Sequence, residues 1–99
     1  MTYEVRFSRA AREDLYRLYE FLLERDLEAA QRARDAILGA LDFLRDFPFA
    51  CRKASNGDPF MRELLIPFGS AGYVALFEVE DSNTVTVLAI RHQLEDDYH

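Results

Sequence analysis

At 99 residues and 49% hydrophobic side chains, the chain is long enough for one domain with a real core but small for a deep substrate pocket. A surface site or groove is the expected place for function. Twelve basic residues against eighteen acidic ones leave a net charge of -6, which argues against a protein that holds nucleic acid mainly by neutralising phosphates, though not against a local basic patch.

Every basic residue except Lys53 is arginine, a bias that suits planar, bidentate pairing with carboxylates or phosphates and that genome composition would also produce. The single cysteine, Cys51, cannot form an intrachain disulfide, has no companion at metal-site spacing and reads as an ordinary thiol. The N-terminal stretch carries charges where a secretory core would be apolar, and no apolar run approaches the ~20 residues of a membrane span. A cytoplasmic protein is expected.

Residues Tyr3 to Phe7 alternate apolar and charged, the pattern of a half-buried strand. Ser8 can cap a helix in which Ala11, Leu15, Leu18 and Leu22 share one face, ending near Arg25. Asp26 can cap a second helix, with Glu28 in its first turn where the macrodipole favours an acid. Ala30, Ala33, Ile37, Leu41 and Leu44 form its main stripe, and Ala36, Ala40, Phe43 and Phe47 a second, whose aromatics are expected to reach the sheet. Pro48 stops this helix. So short a connection makes the two helices an antiparallel hairpin.

From Phe49 to Pro59 there is no periodicity, and Asn56, Gly57 and Pro59 mark a loop. Phe60 to Phe68 reads as a second strand, apolar on both parities after Glu63 and so expected at the sheet centre. Gly69 to Gly72 turn the chain into a third strand, Tyr73 to Glu80, and Asp81 to Asn83 turn it into a fourth, Thr84 to Arg91. Residues 1–99 are thus expected to be one α+β domain: a strand, a two-helix antiparallel hairpin and a three-stranded antiparallel meander. The helices cover one face of a four-stranded sheet whose first strand joins beside the last by a right-handed crossover, and the other face stays open.

Arg62 to His99 holds the residues with functional potential. The run RELLIPFGSAGYVALFEVED, then VTVLAIRHQ and a terminal tyrosine, resembles the RelE/ParE superfamily of toxins from type II toxin-antitoxin systems. The resemblance spans nearly the whole chain. It rests on Arg-Glu-Leu opening the second strand, Ser-x-Gly-Tyr before the third and Arg-His-Gln ending the fourth.

That resemblance implies a cognate antitoxin whose C-terminal segment wraps the toxin, and one of two targets. RelE-like members cut mRNA on the ribosome; ParE-like members poison DNA gyrase and have no nuclease site. Metal-free RNA cleavage needs a group to activate the 2′-hydroxyl, cations to stabilise the pentavalent phosphate and an acid for the leaving oxygen. In the RelE-like pattern an arginine precedes the Ser-x-Gly-Tyr turn, where this chain has Gly69, and another often follows it, where this chain has Val74. His92 and Tyr98, preceded by Arg91, do match the later positions.

The missing cations favour the ParE-like reading: a gyrase inhibitor that is not an enzyme and needs no cofactor or metal, and meets DNA only through its antitoxin. The alternatives are a nuclease using Arg91, His92 and Tyr98, or an inactive homologue that only binds its antitoxin. Partner contacts are expected at Arg62, Tyr73, Arg91, His92 and Tyr98, and at Tyr16 and Tyr19 on the first helix.

Each also has a structural reading. Arg62 can pair with Glu63, Asp46 or the acidic tail. Arg91 shares a strand parity with Val85, Val87 and Ala89, so its stem can pack along the sheet. His92 can serve a hydrogen bond at the strand end, Tyr98 can anchor the tail, and Tyr16, Tyr19 and Phe21 can cap the helix hairpin. The group His92, Glu95, Asp96, Asp97 and His99 reads as a solvated acidic tail rather than a metal site.

Overall fold

The computed structural model describes residues 2–55 and 58–94. The N-terminal alternation becomes strand β1, Glu4–Phe7, with Val5 and Phe7 half-buried and Glu4 and Arg6 exposed. Ser8 then caps helix α1, Arg9–Leu23, by accepting from the Ala11 N–H at 3.1 Å. The same hydroxyl donates to the Leu88 carbonyl at 3.1 Å, so one side chain starts the helix and ties it to the sheet. Asp26 caps helix α2, Leu27–Asp42, through the Ala29 N–H. Ala11, Ala30 and Ala33 are buried, and these small side chains let the two helices approach closely.

Helix α2 ends earlier than its stripe suggests. It stops at Asp42 and continues as 3-10 turns over Phe43–Arg45 and Pro48–Ala50. The Arg45 carbonyl accepts from the Tyr3 N–H at 2.6 Å, which draws the chain toward β1. Leu44 and Pro48 are the buried residues of these turns. Phe43 and Phe47 do not reach the sheet as expected; they stay exposed and pair with each other, ring centroids 5.3 Å apart.

The sheet has five strands in the order β1-β5-β4-β3-β2: β2 is Arg52–Lys53, β3 Met61–Phe68, β4 Ala71–Val79 and β5 Thr84–His92. The meander is antiparallel, and β1 lies parallel to β5, as the crossover argument requires. Two expectations are corrected. The loop after α2 contributes the short edge strand β2, paired with β3 through Arg52 and Glu63; two residues are too few to show a periodicity. And β3 is not central. Most of its length outruns β2, leaving Leu65 47% exposed, and Pro67, which has no N–H to donate, suits a strand whose outer edge is unpaired.

The central strands are β4 and β5. Tyr73, Ala75, Phe77 and Val79 face the helices with Val85, Val87 and Ile90, and Val74 is buried on the opposite face. A bulge opposite Leu76 and Phe77 inserts Leu88 between the partners Ala89 and Val87. An extra residue inverts the alternation beyond it. Arg91 therefore lies across from Val74 on the open face, not on the face of Val85 and Val87 as an unbroken strand would place it.

Among the described residues no helix is long and apolar enough to cross a membrane.

Candidate functional site at the His92 end of the sheet

The end of β5 meets the beginning of β4 and the turn after β3. His92 is the cross-strand partner of Tyr73, their rings perpendicular with centroids 5.5 Å apart, and Phe68 stacks at a tilt on the far side of Tyr73 at 6.0 Å. The three rings form a short row on the helix side of the sheet. The Leu94 N–H donates to His92 Nδ1 at 3.1 Å, so in the neutral ring the proton sits on Nε2.

Tyr73, expected among the contact residues, is only 3% exposed, and burial raises its phenol above the ordinary value. It acts as the platform under His92.

Arg91 sits one residue away and on the other face. Its guanidinium curls over the strand end, donating to the carbonyls of His92 at 3.2 Å and Gln93 at 3.4 Å. Across the ladder its partner is Val74, an apolar side chain where a second cation would be needed.

The first missing cation has a backbone explanation. Gly69 turns β3 into β4 with φ of 63°, a left-handed conformation that arginine adopts only under strain. Gly72 is fixed for another reason. A Cβ there would fall inside contact distance of the Ile66 backbone oxygen on β3, and its own carbonyl accepts from the Gln93 N–H at 2.8 Å. The glycine of Ser-x-Gly-Tyr thus lets β3 close on β4 and holds the residue after His92.

Arg62 lies near the other end of β3, across from Phe77, roughly 20 Å along the strand from the Gly69 turn. It does not join His92. Its guanidinium donates to the carbonyls of Pro59 at 2.8 Å, Cys51 at 2.9 Å and Phe49 at 3.4 Å, and stands 5.1 Å from the Phe49 ring centroid. The expected pairing with Glu63 does not form, because neighbours on a strand point to opposite faces; Glu63 pairs with Arg52 at 3.0 Å instead.

The two helix tyrosines also part company. Tyr16 is 64% exposed in a shallow depression among Arg9, Arg12, Glu13 and Glu20. Tyr19 enters the seam between the helices above Tyr73, with the Arg34 guanidinium 5.9 Å from its ring centroid. Phe21 is exposed under Arg25 at 3.9 Å. Tyr98 and the acids and histidine beside it, Glu95, Asp96, Asp97 and His99, lie outside the described residues, as do Asn56 and Gly57.

Sequence reasoning passed over Asp14, which is 4% exposed and accepts from the Ile90 N–H at 2.9 Å. Strand β1 has ended by that point, so Asp14 on α1 replaces it as the hydrogen-bond partner of β5 two residues before His92. Its position was a signal: three after Ala11 and four before Leu18, it stands in the buried stripe.

Cys51 is buried behind Arg62. Burial pushes the thiol up, partly offset by the Arg62 charge. A raised native value keeps the thiol protonated, and this contribution to stability holds below the thiol's unfolded value and fades as pH climbs through the native one. Alkylation by iodoacetamide near pH 8 should be at least about tenfold slower in the native chain than in urea. Equal rates would show an open thiol.

An antiparallel helical hairpin laid across a five-stranded mixed sheet is the architecture of the RelE/ParE fold. Residues 5–97 match the family model described as the ParE toxin of the type II toxin-antitoxin system parDE. Two curated relatives come from Caulobacter vibrioides. Toxin RelE1 is 39% identical over 95 residues, covering 96% of this chain and 98% of the relative. Toxin RelE3 is 40% identical over 85 residues, covering 86% and 88%. Among solved structures, the chromosomal ParDE toxin-antitoxin system of P. aeruginosa shares the fold with a TM-score of 0.73 at 20% identity, over 92% of this chain and 96% of that one. The toxin-antitoxin complex RelBE2 of Mycobacterium tuberculosis gives 0.57 at 24% identity, over 94% and 100%. The chain belongs to the ParE toxin family, within the RelE/ParE superfamily of type II toxins.

Proposed function

We propose that this toxin acts by binding DNA gyrase, not by cutting RNA, and that a cognate antitoxin neutralises it. The observation that carries the reading is the division of Arg91 and His92 between the two faces of β5. The imidazole meets the Tyr73 ring edge to face on the helix side, while the guanidinium lies on the open side and donates to strand-end carbonyls.

A phosphorane needs cationic donors within hydrogen-bond reach of the group that moves the proton. Here the two positions that would supply them hold Gly69, fixed by its turn, and buried Val74. The match to the ParE toxin model supports the same reading.

For the antitoxin, the solved ParDE system and RelBE2 complex supply the precedent. Two surfaces suit it. The helix hairpin exposes Tyr16, Phe21, Leu23, Leu27 and Leu38 to an amphipathic helix, and the outer edge of β1 suits an extended segment.

A nuclease reading draws on the two Caulobacter relatives, the toxins RelE1 and RelE3, and on His92, whose Nε2 carries a proton it could donate. Induction of the chain without its antitoxin separates the two. Filamentation with DNA-damage signalling is the outcome of gyrase poisoning; immediate arrest of translation with cut mRNA is that of the nuclease, and undisturbed growth that of an inactive binding module.

A further inference from the structure

The other end of the sheet carries a groove that neither the toxin chemistry nor the expected antitoxin surfaces use. It is an open depression of about 710 Å³ bounded by Tyr3, Phe49, Phe60 and Val79 and by the carboxylates of Asp58, Glu78, Glu80 and Asp81. The Phe49 and Phe60 rings meet edge to face at 6.1 Å, yet 46% of Phe49 and 51% of Phe60 remain exposed, so their mutual contact does not bury them.

Three elements fix this shape. The Val79 N–H donates to the Phe60 carbonyl at 2.9 Å, Asp58 accepts from the Phe60 N–H at 2.9 Å, and Asp81 accepts from the Asn83 N–H at 2.7 Å. The walls are held by strand and turn hydrogen bonds, so the groove needs little rearrangement to receive an occupant.

We infer that this groove docks a basic, apolar segment of a partner protein, an arginine flanked by aliphatic side chains. Charge selects that occupant. Among the described residues, four carboxylates and no basic side chain line the groove, so a nucleic-acid backbone is repelled and a guanidinium attracted. The rings select it as well, since an aromatic face attracts a cation and packs an aliphatic stem. The molecule already shows the pairing: Arg62 stands 5.1 Å from the centroid of Phe49. A segment seated there leaves the His92 end, at the opposite end of β4, free.

The test uses the full chain and a synthetic peptide of alternating leucine and arginine, with a second peptide in which neutral citrulline replaces each arginine. Titration followed by amide NMR shifts should move Phe49, Phe60 and Glu78 and leave Leu94 unmoved. The citrulline peptide should bind at least about tenfold more weakly, as should the arginine peptide to the Glu78→Gln/Glu80→Gln chain, whose changed side chains serve no structural bond that the docking argument uses. Binding should also weaken at about 1 M salt, where the Debye length is ~3 Å. Equal binding of the two peptides, unchanged binding by the double variant, shifts confined to the helix hairpin, or tighter binding of a single-stranded RNA than of the peptide would each overturn the inference.

Discussion

Gly72→Ala is expected to lower stability by about 3 kcal/mol, or Tm by on the order of 15 °C for a domain of this size. The added methyl meets the Ile66 backbone oxygen, which has no rotamer to change, so β3 must move away from β4 along a register that runs from Met61 paired with Glu78 to Phe68 paired with Ala71. The damage should concentrate at the His92 end, where the Gly72 carbonyl holds the Gln93 N–H. Thermal unfolding by circular dichroism measures the first effect, and loss of Gln93 amide protection the second. A Tm within a few degrees of the parent would mean that the strands are not packed this closely. By contrast, Gly69→Ala has open space around its Cβ and only the strain of φ at 63°, so it should cost about 1 kcal/mol.

Asp14→Ala should destabilise by about 2 to 3 kcal/mol, because it strands a buried backbone donor instead of merely removing a contact. The Ile90 N–H has Asp14 as its acceptor, and alanine leaves the groove between α1 and β5 too apolar to replace it. Asp14→Asn keeps an oxygen of the same reach and should recover most of the loss. Hydrogen exchange at Ile90 reads the bond itself: fast exchange in the alanine variant and slow exchange in the asparagine variant are expected. If alanine leaves that amide protected, Asp14 is not what satisfies it. The effect matters for function because Ile90 lies on the same face as His92 and two residues before it, so fraying there loosens the imidazole on its Tyr73 platform.

The elements that sequence displays well are those with many residues in one periodicity. Ala11, Leu18 and Leu22 marked α1, Ser8 and Asp26 marked both caps, and the meander with its parallel β1 followed from short turns and crossover handedness. The departures have local causes. Strand β2 has two residues and no pattern to read. Pro67 and the exposure of Leu65 make β3 a near-edge strand despite its apolar run, since composition does not report how many neighbours a strand has. The bulge at Leu88 is invisible in an alternation that looks unbroken, and it alone decides which face Arg91 occupies.

At the candidate site, the chemistry-bearing residues at the end of β5 were legible and their geometry was not. Arg91 and His92 read as one cluster in sequence because they are adjacent, and adjacency on a strand is what separates them. Arg62 and Tyr73 illustrate a different gap. Both are the residue types of contact surfaces, but one is held by three loop carbonyls and the other supports His92 from within the core. Of the two helix tyrosines expected to make contacts, Tyr16 lies at the surface, and Tyr19 turns into the helix seam through a side-chain direction that spacing leaves open.

The proposed gyrase target, with no cleavage at the Arg91–His92 end of the sheet, is open to direct measurement. The most direct measurement sets the purified chain, without antitoxin, against gyrase on relaxed plasmid and against ribosomes programmed with a defined mRNA. The account predicts loss of supercoiling in proportion to added toxin, with the mRNA left intact. Full supercoiling activity beside cut mRNA, with cutting abolished in His92→Ala, would contradict it.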